Sequence, residues 1–183
     1  MAESDVLDDP FGPRAMAARE QMRAALYWYA RAIDRGQSGF LSNAFHPDAT
    51  IDCGSFSGDL AGFGAMLDER RRAVPRAVHM IGNMLVDFLG SSRAFAETYC
   101  LALEEFLPET PGGPNLNRLV RVRYADEFAC RDDAWKISHH LIIIDHVMPA
   151  EAAVPPDGFF SGASGRRDAD DPILLRRATL GIG

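Results

Sequence analysis

Several features that mark particular classes of protein are scarce or missing in this sequence. Its cysteines, Cys53, Cys100 and Cys130, form no CxxC or mixed Cys/His pattern, which argues against a disulfide framework and against a structural zinc site. No apolar run approaches the roughly 20 residues of a membrane span. Residues 1–10 are acidic and lack the basic start and apolar stretch of a secretory signal. We therefore expect a cytoplasmic protein without a membrane partner.

An excess of basic residues is also missing. The sequence has 19 Lys and Arg against 26 Asp and Glu, which gives a formal net charge of −7. Because nucleic-acid binding relies on clustered Lys and Arg to neutralise phosphates, we expect no nucleic-acid partner. With 183 residues, 47% of them hydrophobic and 25% charged, the composition is typical of one globular domain of roughly 150 residues with loosely attached ends.

The first part of the sequence is predicted to be mainly helical. Apolar residues recur at three- and four-residue spacing from Ala15 to Asp34, and Gly36 is expected to end this helix. A short helical piece is predicted around residues 38–44, followed by a short strand at 50–53. Asp59 is expected to cap a further helix that runs to about Ala73.

After Pro75 the apolar pattern changes to a period of two. This period predicts four long strands at about 76–89, 93–106, 117–130 and 134–147, and the short links between them favour an antiparallel meander. Helices followed by a run of strands indicate an α+β fold, in which the helices cover one face of a curved sheet. Such a curled sheet leaves a hollow of the kind that binds small molecules.

Composition also suggests the boundaries of the domain. Residues 1–14 are predicted to be an N-terminal arm, residues 15–147 the domain, and residues 148–183, which are rich in Ala, Pro, Gly, Asp and Arg, a C-terminal tail. The apolar segments Phe159–Phe160 and Ile173–Leu175 are expected to dock, either over the mouth of the pocket or on a neighbouring subunit.

Several short segments, taken in order, resemble one known family. They are the helix end Tyr29–Asp34, the segment Phe45–Asp52, His79 leading into Gly82–Asn83, the strand segment Arg123–Phe128, and Trp135–Ile137. Over residues 15–147 the chain resembles the SnoaL-like branch of the NTF2-like superfamily. The resemblance implies a cone in which N-terminal helices pack on a curved, mostly antiparallel sheet that encloses an apolar pocket.

The most similar enzymes of that superfamily are lyases: scytalone dehydratase, bile acid 7α-dehydratase and hexachlorocyclohexane dehydrochlorinase. Their Asp at the end of the first long helix and their His early on the next long strand correspond to Asp34 and His79. The resemblance implies that His79 is a general base oriented by Asp34, with Tyr29 as a proton donor and Tyr27 as the competing candidate. The additional His or Arg that some of these enzymes use on the second or third long strand has no clear counterpart here.

Further residues are candidates for contact with the substrate. Asn83, four residues after His79, is expected on the same strand face. His139 and His140 are alternative auxiliary acids. A metal site is not expected, because alternation puts His139 and Asp145 on one face of the strand and His140 and His146 on the other. The predicted apolar wall comprises Phe40, Phe45, Phe56, Phe63, Met66, Met80 and Met84.

Together these features predict a cofactor-independent lyase that acts on a hydrophobic, cyclic or aromatic, hydroxylated small molecule. Loss of water and loss of formaldehyde are the two versions of this reaction. Proton-transfer isomerases or polyketide-cyclase-type enzymes are the nearest alternative, and a non-catalytic ligand-binding or structural subunit of the same fold is a second. Leu119 or Val122, with Ile142 and Ile144, are expected to hold a homo-oligomer together, as a dimer or trimer.

Overall fold

The structure, a computed structural model, describes residues 9, 11–108, 110, 113, 115–150 and 168–181. Most of the predicted N-terminal arm and much of the predicted tail therefore lie outside the described residues. The helices are α1 (Pro13–Asp34), α2 (Leu41–Ala44), preceded by a 3₁₀ turn (Ser38–Phe40), α3 (Leu60–Arg70) and α4 (Pro172–Thr179). The strands are β1 (Phe45–Asp52), β2 (Ser57–Asp59), β3 (Arg76–Phe88), β4 (Arg93–Phe106), β5 (Leu116–Arg131) and β6 (Ala134–Ala150).

Helix α1 begins at Pro13, two residues before the predicted start at Ala15, and ends at Asp34 as predicted. Pro13 stands in the first turn, where its missing N–H costs nothing. At the other end Gly36 adopts a left-handed φ of 60°. The amides of Gly36 and Gln37 then donate to the carbonyls of Ile33 and Ala32, which closes the last turn. This ending fixes Asp34 at the end of the helix.

The strands form one six-stranded sheet in the order β2-β1-β6-β5-β4-β3. The predicted meander is confirmed, because β3, β4, β5 and β6 pair antiparallel in sequence order. The sheet is mixed, since β1 pairs parallel to β6. Strand β1 starts at Phe45, five residues before the predicted strand, and the short strand β2, which was not predicted, lies between β1 and α3.

The helices cover one face of the sheet, so the predicted α+β fold is confirmed. Strand β4 shows the alternation most clearly, with Ala94, Ala96, Cys100 and Ala102 buried against the helices. Helix α1 contributes a buried stripe to the same core: Ala18, Met22, Ala25, Leu26, Tyr29, Ala32 and Ile33. None of the helices in the described part of the chain is both long and apolar enough to cross a membrane.

An irregularity in β3 changes which side chains point inward. The pairing of β3 with β4 shifts between Ile81 and Met84. A Cβ on Gly82 would lie only 3.0 Å from the carbonyl oxygen of Tyr99, so the backbones approach closely at this point. Such a bulge reverses the alternation of the side chains that follow it. Asn83 therefore does not share a face with His79, as the simple period of two had predicted.

The side chains expected at a subunit interface also differ from the prediction. Val122, Ile142 and Ile144 line the interior cavity. The outer face of the sheet instead exposes other apolar residues, among them Val78, Met80, Leu101 and Leu103. Ile144 is also 56% exposed, and Leu119, the alternative to Val122, stands beside Leu103 on the outer face. The two faces of β5 and β6 cannot be told apart from the sequence because both carry apolar residues, and the oligomer itself stays a prediction.

Candidate active site

Asp34 and His79 form a pair where the end of α1 meets the start of β3. Nδ1 of His79 lies 2.6 Å from Oδ1 of Asp34, and the backbone N–H of His79 donates to Oδ2 at 3.0 Å. Both side chains are shielded, with exposures of 8% for His79 and 17% for Asp34. A carboxylate only accepts hydrogen bonds, so Nδ1 carries the proton and Nε2 of the neutral ring is free to accept one.

The position of Asp34 is unfavourable for helix stability. The end of a helix carries partial negative charge, and a carboxylate there typically costs about 0.3–1 kcal/mol. The two hydrogen bonds from His79 offset this cost. A residue that breaks a local rule and is held by specific partners is typical of a functional site.

His79 lies in the wall of a cavity of about 250 Å³ between the helices and the inner face of the sheet. A dry cavity of about 150 Å³ holds benzene, so this one has room for more than a single unsubstituted ring. Most of its wall is apolar, including Ile33, Leu67, Val120, Val122, Ile142 and Ile144.

Tyr29 lines the same cavity and is 1% exposed to outside solvent. Its ring meets that of Tyr124, another residue of the cavity wall, edge to face at a centroid distance of 5.6 Å. Burial, with a smaller contribution from the charge of Asp126, raises the pKa of Tyr29 well above its ordinary value. The Tyr29 hydroxyl therefore keeps its proton and acts as a hydrogen-bond donor throughout the neutral range.

One end of the cavity carries charged side chains. Arg70, Glu104 and Arg118 all line it. Arg70 pairs with Glu104 at 2.8 Å. The guanidinium of Arg118 lies 4.3 Å from the centre of the Phe106 ring, and that of Arg70 lies 5.6 Å from the same ring. This end is therefore polar, although the sequence predicted an apolar wall.

A second Asp–His pair lies behind the cavity wall. Asp126 and His140 are both fully buried, with Oδ1 of the first 2.5 Å from Nδ1 of the second. The His140 ring packs against Tyr29 and Tyr124, at centroid distances of 4.6 and 4.9 Å. His140 thus supports two residues of the wall and does not itself line the cavity.

The structure brings some of the predicted aromatic and apolar residues to the cavity but not others. Phe63 and Met66, on α3, line it. Phe45 is buried in the core, against Tyr29 and His140. Phe56 packs against Phe63, with ring centroids 5.8 Å apart, and does not itself line the cavity. Two further predicted wall residues, Phe40 and Met84, pack against the core.

The remaining predicted contacts lie outside the cavity. Tyr27 is 51% exposed and borders a separate groove on the outer side of Asp34. His139 bonds the Thr50 hydroxyl through Nδ1 at 2.8 Å. Met80 and Asn83 lie on the outer face of the sheet, where they border a groove with Arg121. For Met80 the reason is simple alternation, since it adjoins the inward-facing His79, and for Asn83 it is the bulge.

Sequence reasoning missed the charged end of the cavity and Tyr124. Glu104 and Arg118 are direct partners in the pairing of β4 with β5. Both occupy positions that alternation turns inward, between apolar neighbours on the same face. A charged pair at inward positions of neighbouring strands was the signal that would have identified them.

Most of this architecture corresponds to a known domain family. The model of the SnoaL-like domain matches residues 14–140. This chain belongs to the SnoaL-like domain family. A search among curated proteins finds no match.

Solved structures share this SnoaL-like fold at low sequence identity. The Kfla4162 protein of Kribbella flavida is 22% identical, with a TM-score of 0.66 over 73% of this chain and 95% of that chain. The hexachlorocyclohexane dehydrochlorinase LinA-type3 of Novosphingobium barchaimii LL02 is 19% identical, with a TM-score of 0.67 over 78% and 98%. A proposed scytalone dehydratase of Novosphingobium aromaticivorans is 15% identical, with a TM-score of 0.65 over 76% and 92%.

Proposed function

We propose that this SnoaL-like protein is a cofactor-independent lyase, with His79 as its general base. The observation that carries the proposal is the contact between Asp34 and His79 in the wall of an apolar cavity. Asp34 accepts hydrogen bonds from both the ring Nδ1 and the backbone N–H of His79. The orientation of His79 is therefore fixed before a substrate binds. A fixed imidazole that can accept a proton near neutral pH is what an elimination needs.

In the proposed reaction, Nε2 of His79 removes a proton from the substrate. The electron pair left behind forms a double bond, and a hydroxyl group leaves the neighbouring carbon as water. Asp34 stabilises the imidazolium formed in this step, and that imidazolium can return its proton to the leaving oxygen. Loss of formaldehyde from a hydroxymethyl group is a second version, in which the base takes the hydroxyl proton instead. The C–O bond then becomes the C=O of formaldehyde, the C–C bond to the hydroxymethyl carbon breaks, and the carbon that keeps its electron pair takes the proton back from the imidazolium.

Tyr29 is proposed to donate a hydrogen bond to an oxygen atom of the substrate. Its raised pKa makes it a poor proton source but a stable donor, since it stays protonated as the reaction proceeds. In this proposal His79 exchanges protons with the substrate, whereas Tyr29 orients the substrate and polarises the oxygen atom that accepts its hydrogen bond.

The lining of the cavity suits a hydrophobic cyclic or aromatic substrate with few polar groups. Its walls are mostly aliphatic, and Phe63 and Tyr29 add aromatic surface. Two of the similar structures are named for elimination reactions, one a dehydrochlorinase and the other a proposed dehydratase. Those names support the reaction class as a proposal for this chain.

The test is turnover of a panel of hydroxylated aromatic and alicyclic compounds, followed by mass spectrometry. We expect products that have lost one water or one formaldehyde. His79→Gln and Asp34→Asn should each lower turnover by about 10²–10⁴-fold, the usual contribution of a general base. His139→Gln is the matched control, because His139 hydrogen-bonds Thr50 away from the cavity, and it should turn over like the unaltered protein.

Other outcomes would change the proposal. Equal turnover by the His79→Gln and His139→Gln variants would refute the role of the pair. A product of unchanged mass would point to isomerase or cyclase chemistry with the same base. Tight binding of panel compounds without any product would favour a ligand-binding role.

A further inference from the structure

At the charged end of the cavity, the guanidinium of Arg118 forms no ion pair with any of the residues that the structure describes. Arg70 and Glu104 pair at 2.8 Å and compensate each other. Within the ranges that the structure describes, no carboxylate lies within ion-pair distance of Arg118. Arg118 therefore brings an unneutralised positive charge to a cavity whose other walls are mostly apolar.

The position of the Arg118 side chain is fixed by its neighbours. Its guanidinium carbon lies over the Phe106 ring, 4.3 Å from the ring centre, and that of Arg70 lies 5.6 Å from the same centre. The attraction between a cation and the face of a ring requires no N–H hydrogen bond, so the N–H donors of the guanidinium stay available. That arrangement suits the two oxygens of a carboxylate, which a guanidinium binds with paired hydrogen bonds.

The register of the sheet gives the separation between Arg118 and His79. His79 pairs with Ala102, and Ala102 pairs with Val120 on the next strand. Arg118 is two residues from Val120 on the same inner face. The two residues are thus separated by two strand spacings across the sheet and by two residues along a strand. This separation places their Cα atoms about 12 Å apart. Because both side chains point into the cavity, a molecule of one or two rings can reach both.

We propose that the substrate of this site is a monoanionic acid, whose carboxylate binds Arg118 while its reacting carbon lies at His79. The proposal deepens the proposed function and rests on it for the reaction. The single uncompensated charge favours a monoanion over a phosphate ester, which carries more charge at neutral pH. At its distance from His79, the carboxylate serves to position the ring and does not itself activate the proton that is removed.

Binding of matched probes tests this assignment without any turnover. The probes are 2-naphthoate and 2-naphthamide, which have nearly the same shape and differ in charge, each titrated by calorimetry. In the unaltered protein we expect the acid to bind about tenfold to a hundredfold more tightly than the amide, the range for a charge-assisted pair. In Arg118→Gln that preference should disappear while affinity for the amide is kept. Retained amide binding shows that the variant is folded.

Arg121→Gln is the matched control. Arg121 lies three residues further along β5 but borders the groove on the outer face of the sheet. This variant should keep the full preference for the acid. The proposal is overturned if acid and amide bind the unaltered protein equally, if the acid does not bind at millimolar concentration, or if Arg118→Gln keeps the preference. Because none of these measurements involves proton removal, they stand whether or not His79 proves to be the base.

Discussion

At the scale of single residues, His139 and His140 are neighbours in β6 with different surroundings. His140 is fully buried, and its Nδ1 is paired with the buried Asp126. His139 is half-buried and bonds the Thr50 hydroxyl. Alternation along the strand is enough to explain the difference, since it turns one ring into the core and the other outward.

These surroundings lead to different costs of substitution. His140→Ala leaves Asp126 buried without its partner, so we expect it to lower the free energy of unfolding by about 3–5 kcal/mol. His139→Ala removes a half-exposed hydrogen bond and should cost about 1 kcal/mol or less. Urea unfolding of both variants measures the difference. Similar unfolding midpoints for the two would show that the buried pair adds little to stability.

Some residues of the site could be predicted from the sequence and others could not. The pair of Asp34 and His79 was expected from the family resemblance, and the structure puts the two residues in contact. The charged pair of positions Glu104 and Arg118 was missed, because the two residues become neighbours only when β4 pairs with β5. A single strand does not show which residue will stand opposite on its neighbour.

At the scale of elements, helix α3 carries four residues of the cavity wall, Phe63, Met66, Leu67 and Arg70. Its first turn is capped as the sequence predicted, with Oδ1 of Asp59 accepting from the amide of Gly62 at 2.8 Å. The start of α3 therefore depends on a single side-chain hydrogen bond close to the site.

Removing this cap should weaken α3. We expect Asp59→Ala to lower the free energy of unfolding by about 0.5–2 kcal/mol, the usual cost of losing an N-terminal cap. Asp59→Asn should retain most of the stability, since an amide oxygen accepts the same hydrogen bond. Chemical unfolding of the pair provides the measurement. Equal losses in both variants would indicate that the charge of Asp59 matters, and not its capping bond.

Element boundaries were predicted best where the period of the apolar residues was regular. The strand predicted at 93–106 has those same limits in the structure, and the one predicted at 76–89 ends one residue earlier. Side-chain direction within β3 was predicted less well, because the shift after Ile81 reverses it. A bulge depends on the close approach of Gly82 to Tyr99 on the next strand, which the sequence of β3 alone does not contain.

At the scale of the whole molecule, the two faces of the sheet have different partners. The inner face packs on the helices and forms the cavity. The outer face presents an apolar patch, which we define as Val78, Met80, Leu101 and Leu103. The pairing of β3 with β4 makes it continuous, since Val78 stands beside Leu103 and Met80 beside Leu101. Contiguous exposed apolar surface commonly marks a site of protein association.

We propose that this apolar patch is where copies of the chain associate, as a dimer or trimer. Sedimentation at micromolar concentration should then show an oligomer, and Leu101→Asp should shift it towards the monomer by placing a charge in the contact. Leu89→Asp is the control, because Leu89 is also exposed but lies in the turn after β3, outside the patch. A monomer in the unaltered protein would contradict the proposal. An oligomer that withstands Leu101→Asp would assign the contact to another surface, because a buried, unpaired aspartate in the centre of this patch would be too costly to tolerate.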